Sequence, residues 1–214
     1  MRNFTSLALL CIIAATVSCA KKEPTSSPKS DGKQDKAVST STGPFLDQVT
    51  SNTTPPESVS DLKFKDKNGK VIAISDYMGK KNVVLVFTKG FSGSICPYCK
   101  TQTSRLISNY KRFTEADTEV IVVFPGDKAH YDDFVTAALK TEKAEVDSVP
   151  FPIVLDEDFS ATNFFDIRGS LTSPSTFILD KQGKVQLAYV AKKNNTTDRP
   201  SISAMLDKLK QVNR

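Results

Sequence analysis

Two of the four cysteines, Cys96 and Cys99, lie three positions apart in the segment Ile-Cys-Pro-Tyr-Cys-Lys. A pair at this spacing serves as a structural disulfide, as part of a metal site, as a peroxide-reducing thiol with its partner, or as a dithiol that exchanges with other disulfides. A zinc site needs four ligands, and the only histidine of the chain is His130, so no metal is expected. A bridge across so short a loop stabilises a fold little. The two redox functions remain open on the motif alone.

A helix that begins directly after Cys96 would favour these redox functions. Pro97 suits the first helical position. The apolar residues that follow recur at helical spacing: Leu106, Ile107, Tyr110 and Phe113. The unpaired N–H groups and the dipole at a helix start stabilise a thiolate, and Lys89 and Lys100 add positive charge nearby, so we predict a lowered pKa for Cys96. Cys99 falls on the same helical face, from which its sulfur reaches back to Cys96.

The first residues have the features of a targeting segment. A short basic start precedes an apolar run at 7–17, which is too short to span a bilayer and has the proportions of a secretory signal. Ser18 and Cys19 follow, and a small residue directly before a cysteine resembles the lipobox of bacterial lipoproteins, although Thr16 stands where that motif usually has leucine. We predict that residues 1–18, including Cys11, are a lipoprotein signal peptide and that Cys19 is lipidated. The alternative is an ordinary secretion signal with an unmodified Cys19.

Residues 19–56 are rich in Ser, Thr, Lys, Pro and Gly, and this composition buries too little apolar surface to fold. We predict a flexible, lipid-anchored linker here, in which the apolar residues at 45–49 are an isolated spot; the alternative is that they form a short docking piece. The protein would then face the periplasm or the outer surface of a bacterial cell envelope, where disulfides are permitted, with the membrane as a partner through Cys19. A net charge of +5 without a dense basic patch argues against binding to nucleic acid.

The folded domain is predicted to cover residues 57–214. Its first part alternates apolar and polar residues around Asn68 and Gly69, which indicates a β-hairpin. Continuous β-branched runs at 82–88 and 118–124 indicate strands buried on both faces, and each precedes a helix. A strand at 151–156, a short helix at 160–167, a second hairpin around 181–183 and a last helix opened by Pro200 complete the order. The predicted class is α/β in three layers, with a central mixed sheet and an N-terminal β-hairpin extension.

A recognisable pattern is carried by DLKFKDKNGKVIAISDYMGKKNVVLVFTKGFSGSICPYCK and, later, by SPSTFILDKQGKV. These stretches resemble the thioredoxin-fold redoxin superfamily, specifically the alkyl hydroperoxide reductase/thiol-specific antioxidant (peroxiredoxin) family and the related membrane-tethered thiol–disulfide oxidoreductases. The resemblance implies a thioredoxin-like fold, no cofactor, and redox chemistry at Cys96 and Cys99. It also implies a cis peptide bond at Pro174 that faces the cysteine pair, with Ser173 offering backbone groups to an extended substrate.

Three positions depart from the peroxiredoxin pattern. That family surrounds its peroxide-reducing cysteine with a Pro, a Thr and an Arg, and the positions in register here hold Lys89, Gly93 and Pro174. Arg168 is near the arginine position but not in register with it. Because peroxide cleavage needs stabilisation of the leaving oxygen, these departures argue against peroxide as the substrate.

The sequence therefore favours a thiol–disulfide oxidoreductase of the cell envelope, in which Cys96 attacks a substrate disulfide and Cys99 releases the product. The alternative is a thiol-dependent peroxidase with Cys96 as the peroxidatic and Cys99 as the resolving cysteine. The expected partners are a protein or small-molecule disulfide, or a peroxide, and an upstream dithiol that acts as reductant. A third class, a surface lipoprotein that uses the fold without catalysis, does not account for the retained cysteine pair.

Overall fold

The computed structural model describes residues 45–141, 146–192 and 197–214 of the 214-residue chain. The predicted signal peptide, Cys19 and the first part of the predicted linker lie outside these residues. Within the described ranges, no helix is long and apolar enough to cross a membrane.

A mixed sheet forms the centre of the domain, with seven strands among the described residues. They are β1 (Lys63–Lys65), β2 (Val71–Ala73), β3 (Asn82–Phe87), β4 (Thr118–Pro125), β5 (Ile153–Asp156), β6 (Ser175–Leu179) and β7 (Val185–Val190). Their order is β2-β1-β5-β4-β3-β6-β7; β3, β4 and β5 run parallel, and the other neighbours pair antiparallel. The predicted mixed sheet and the N-terminal hairpin of β1 and β2 are confirmed.

Helices cover both faces of this sheet. They are α1 (Pro97–Thr114), α2 (Tyr131–Lys140), α3 (Ser160–Phe164) and α4 (Ile202–Val212). Alternate side chains of β3 point to opposite layers, as the strand period requires. Val84 and Val86 join the core beneath α1, α2 and α4, whereas Val83, Leu85 and Phe87 join the core beneath α3. The three layers predicted from the sequence are confirmed.

The central position of β3 and β4 determines where the cysteine motif lies. Every residue of both strands is buried, as their β-branched sequences predict for strands covered on both faces. The carboxyl ends of such strands form the edge at which ligand sites of α/β domains occur. The loop that follows β3 runs along this edge and leads through Cys96 into α1.

The start of α4 differs from the prediction. Ser201 is the N-cap, because its hydroxyl accepts a hydrogen bond from the N–H of Ala204 at 3.1 Å. Pro200 therefore lies before the helix, where it forms a parallel bridge with Leu46. Arg199 lies in this same non-helical segment.

The prediction of a flexible linker up to residue 56 is wrong for residues 45–52, which pack against the domain. Phe45 is 6% exposed, and Leu46 pairs with Pro200. The side chain of Asn52 donates to the carbonyl oxygen of Val190 at 2.8 Å and accepts from its N–H at 2.9 Å, at the edge of β7. The polar composition of the segment does not predict this attachment. One aromatic ring and a few polar side chains hold the segment, and they change its mean hydropathy little.

The substitution Phe45→Ala should lower the free energy of unfolding by about 3 kcal/mol, because it removes a buried ring and leaves a cavity. Chemical denaturation measures this difference. The variant Gln48→Ala, at an exposed position of the same segment, serves as the control and should change the free energy of unfolding by less than about 0.5 kcal/mol. Equal stability of Phe45→Ala and the wild type would show that the segment does not pack on the domain in solution.

Candidate active site

Cys96 and Cys99 lie at the start of α1. Cys96 is the N-cap residue, Pro97 is the first helical residue, and the N–H of Cys99 donates to the Cys96 sulfur at 3.3 Å. The helix therefore begins where the sequence predicts. A thiolate at Cys96 receives this N–H group and lies at the positive end of the helix dipole.

The two cysteines are free thiols that differ in burial. Cys96 is 9% exposed and Cys99 is 2% exposed. The Cys99 sulfur accepts a hydrogen bond from the main-chain N–H of Lys89 at 3.4 Å. Cys96 is therefore the more accessible of the two sulfurs to an external reagent, and Cys99 is the deeper one.

The guanidinium of Arg199 contacts both sulfurs. Its Nη2 lies 3.7 Å from the Cys96 sulfur and 3.5 Å from the Cys99 sulfur, and its Nη1 donates to Oε1 of Gln102 at 3.1 Å. Arg199 is 2% exposed, and Gln102, one turn of α1 beyond Cys99, is also buried. Sequence reasoning missed this arginine, because it lies 103 positions from Cys96 and outside any motif. The segment that precedes α4 brings it to the start of α1 and to the cysteines.

The surroundings of the two cysteines shift their pKa values in opposite directions. A hydrogen bond from the Cys99 side chain and then the charge of Arg199 lower the pKa of Cys96 to about 5, against the opposing effect of burial. Burial raises the pKa of Cys99, as does its hydrogen bond to Cys96. At neutral pH, Cys96 is thus a thiolate and Cys99 is a thiol that donates to it. The direction for Cys96 is the one expected from the sequence.

Lys89 contacts the cysteine pair through its main chain and not, as the sequence predicts, through its side chain. The sequence suggests that its side-chain charge stabilises the Cys96 thiolate, but the cation that lowers this pKa is Arg199. Lys89 contributes its main-chain N–H, and that group contacts Cys99. Because the Lys89 ammonium is on a long, partly exposed side chain, water screens it, whereas the buried guanidinium acts at contact distance.

A cleft of about 420 Å³ lies at the carboxyl ends of β3, β4 and β5; Lys89 lines it, but Cys96 and Cys99 do not. The rings of Phe91 and His130 stack on one wall with centroids 3.4 Å apart. On another wall the guanidinium carbon of Arg168 lies 3.8 Å from the ring centroid of Phe159. Arg168 therefore belongs to this cleft rather than to the sulfur site. In the part of the chain that is described, no three His, Cys, Asp or Glu side chains gather as a possible metal site.

Pro174 does not have the predicted conformation. No peptide bond in the described residues is cis, so the Ser173–Pro174 bond is trans. Pro174 leads directly into β6, and its carbonyl oxygen accepts from the N–H of Ala191 at 2.9 Å, so extended backbone continues the pairing of β6 with β7. The N–H of Ser173 donates to the carbonyl oxygen of Ile167 at 2.9 Å. That N–H is already used within the chain, which weakens the predicted role of Ser173 in binding an extended substrate.

The substitution Arg199→Gln should raise the pKa of Cys96 by about one unit or more, because the cation beside the thiolate is lost. In the wild type the thiolate disappears only as the pH falls through about 5, so the variant should lose it at higher pH. Ultraviolet absorbance of the thiolate, followed against pH, measures this. Arg168→Gln removes the same charge from the neighbouring cleft and should leave the titration unchanged. A Cys96 pKa that is equal in both variants would contradict the assignment.

The sequence is similar to that of peroxiredoxins. A family model described as the AhpC/TSA family matches residues 56–188. The chloroplastic peroxiredoxin Q of Triticum aestivum is 29% identical over 153 residues, which are 70% of this chain and 63% of that protein. Peroxiredoxin Bcp of Bacillus subtilis (strain 168) is 24% identical over 138 residues, which are 60% of this chain and 80% of that protein. The chain thus spans less than two thirds of the length of the wheat relative.

Solved peroxiredoxin structures share the fold. A mutant of peroxiredoxin 6 from Arenicola marina matches with a TM-score of 0.61 at 18% identity, over 74% of this chain and 72% of that one. Peroxiredoxin Q of Xanthomonas campestris matches with a TM-score of 0.57 at 20% identity, over 79% of this chain and 100% of that one. The predicted thioredoxin-like α/β fold is confirmed by this likeness. Since the family model also covers more than half of the sequence, the chain belongs to the AhpC/TSA family.

Proposed function

We propose that this protein is a thiol-dependent peroxidase in which Cys96 reduces a peroxide and Cys99 resolves the product. The observation that carries the proposal is the Cys96 thiolate with the buried guanidinium of Arg199 at 3.7 Å. The similarity to peroxiredoxin Q and peroxiredoxin Bcp supports the same chemistry. The preference for disulfide exchange drawn from the sequence rests on Lys89, Gly93 and Pro174, which stand where the family has a Pro, a Thr and an Arg. Arg199 supplies the positive charge of the missing arginine from elsewhere in the chain, whereas the Pro and the Thr remain replaced.

In the first step the Cys96 thiolate attacks one oxygen of a hydroperoxide ROOH, and the O–O bond breaks. The sulfur becomes a sulfenic acid, and the departing RO⁻ takes up a proton and leaves as an alcohol, or as water when the substrate is hydrogen peroxide. Negative charge moves from the sulfur to the leaving oxygen. Arg199 lies against the sulfur and stabilises this charge in a site from which water is largely excluded.

In the second step the Cys99 thiol attacks the sulfenic sulfur. An S–S bond forms, the S–O bond breaks, and the hydroxyl leaves as water with the thiol proton. The raised pKa of Cys99 keeps this group protonated until then, so that the two cysteines do not compete for the peroxide. An external dithiol then reduces the disulfide by exchange and becomes oxidised itself.

The second candidate is the thiol–disulfide oxidoreductase predicted from the sequence. A Cys96 of low pKa is also a good nucleophile and a good leaving group in exchange reactions, and Cys99 follows it by one helical turn. The residues expected to position a substrate disulfide give this second candidate less support. The bond before Pro174 is trans, and the N–H of Ser173 already donates within the chain. Both candidate functions include exchange with an upstream dithiol, because the peroxidase also needs a dithiol to reduce its disulfide.

The proposed location is the bacterial cell envelope, with a lipid on Cys19. The support is the sequence of residues 1–19, which lie outside the described residues: an apolar run followed by a small residue and a cysteine. The Ser/Thr/Lys/Pro-rich segment between Cys19 and Phe45 would then separate the membrane from the domain.

Arg199→Gln should slow the reaction with hydrogen peroxide by about 100-fold at a pH where Cys96 is fully ionised in both proteins, since the charge on the leaving oxygen is then unsupported. Stopped-flow measurement of Cys96 oxidation gives this rate. The reaction of the same proteins with iodoacetamide, which releases iodide and not an oxyanion, controls for general reactivity of the thiolate. An equal loss in both reactions would contradict a role for Arg199 in peroxide cleavage.

Peroxide turnover and disulfide reduction should be compared under one dithiol reductant in the full chain, in Cys96→Ser and in Cys99→Ser. We expect the wild type to consume hydrogen peroxide, Cys96→Ser to be inactive, and Cys99→Ser to accumulate a sulfenic acid that dimedone traps. Rapid reduction of a protein disulfide together with peroxide consumption no faster than that of a free thiol would overturn the proposal in favour of the second candidate.

A further inference from the structure

The N-terminal segment at residues 45–47 is bonded to the main chain on both sides of Pro200. The N–H of Leu46 donates to the carbonyl oxygen of Arg199 at 2.8 Å, and the carbonyl oxygen of Leu46 accepts from the N–H of Ser201 at 2.8 Å. The hydroxyl of Ser201 donates to the carboxylate of Asp47 at 2.7 Å. The segment therefore determines the position of the backbone from which the Arg199 side chain extends.

The same segment is attached to the helix that carries the cysteines. The ring of Phe45 is buried, and the guanidinium carbon of Arg105 lies 5.1 Å from its centroid. Arg105 lies on α1, two to three turns beyond Cys96. Residues 45–47 thus contact both elements of the site: the helix with the sulfurs and the chain with the guanidinium.

The other side of Arg199 is held by its neighbour Asp198, which is buried. The hydroxyl of Tyr189 donates to one of its carboxylate oxygens, and the N–H of Lys192 donates to the other at 2.8 Å. These bonds attach residue 198 to β7 and the chain after it. The backbone of Arg199 is consequently fixed on one side by the sheet and on the other by residues 45–47.

We infer that residues 45–47 are a positioning element of the active site, which holds the Arg199 guanidinium against the two cysteine sulfurs. The stabilisation that a buried cation gives to a thiolate at contact distance depends steeply on the position of the cation. The attraction falls with distance, and water enters any gap between the two charges. The family model begins to match at residue 56, so this element lies outside the part of the chain that the family accounts for. The inference concerns the Cys96 thiolate and holds for either oxidant, peroxide or disulfide.

The test is the titration of Cys96 in full-length Phe45→Ala/Asp47→Ala, read from thiolate absorbance and from the pH dependence of its alkylation by iodoacetamide. The charged or titratable groups that act on Cys96 are Cys99 and Arg199, and both remain in this variant. We expect the pKa of Cys96 to rise by about one unit, which lowers the alkylation rate near pH 6 more than the rate near pH 9. Arg199→Gln defines the full effect of losing the cation.

Asn52→Ala is the matched control, because it removes two hydrogen bonds of the same N-terminal region at the β7 edge without touching Arg199 or Ser201. It should lower stability and leave the Cys96 titration at the wild-type value. An unchanged titration in Phe45→Ala/Asp47→Ala, or an equal rise in Asn52→Ala, would overturn the inference. Should the double variant not fold, Asp47→Ala alone carries the test, with a smaller rise supporting the inference and no rise overturning it. A raised Cys96 pKa in the double variant, together with a wild type that does not turn over peroxide, would support the inference and count against the proposed function.

Discussion

A guanidinium and a thiolate that share a buried site form the interaction on which the rest of the site depends. Burial of either charge alone is costly, because each loses its hydration. Arg199 and Cys96 offset this cost for each other, and Gln102 accepts a further N–H of the guanidinium. The charge of Arg199 is therefore one reason that Cys96 ionises, and the ionised Cys96 is one reason that Arg199 is tolerated in the core.

This pairing also links the redox state to the fold. The attraction between guanidinium and thiolate exists only in the dithiol form, so it stabilises the reduced pair relative to the disulfide. The unequal burial of the two sulfurs adds to this asymmetry, since it keeps Cys99 protonated while Cys96 is charged. The unequal burial of the two sulfurs and the hydrogen bond between them thus leave Cys96 charged and Cys99 neutral, and the charge of Arg199 supports the ionised Cys96.

The sequence predicts the parts of this architecture that depend on local pattern. The β-branched runs of β3 and β4, the proline at the start of α1 and the hairpin around Gly69 each carry their own signal, and the structure agrees with them. The lowered pKa of Cys96 is predictable for the same reason, because Cys96 and its helix are neighbours in the chain. The role of Arg199 is not predictable from the sequence, since two residues 103 positions apart form no local motif and their contact does not alter the composition.

Two errors have a common physical origin. Residues 45–52 look like linker because their composition is polar, yet Phe45 and Asn52 attach them through a few specific contacts. The resemblance implies a cis bond at Pro174, whereas that bond is trans and the carbonyl oxygen of Pro174 accepts from the N–H of Ala191 beside the β6–β7 pair. In both cases the segment contacts residues that lie far from it in the sequence, and neither composition nor a local motif reveals those contacts.

The central claim is that one cysteine is charged and the other is neutral in the resting protein. Carbon-13 labelling of both cysteine Cβ atoms, with each signal assigned by Cys96→Ser and Cys99→Ser, reports the ionisation of each sulfur separately by NMR. At pH 7 the account predicts the thiolate shift for Cys96 and the thiol shift for Cys99, with the Cys96 signal titrating only as the pH falls through about 5. Two thiol shifts at pH 7, or a thiolate at Cys99 rather than at Cys96, would contradict it.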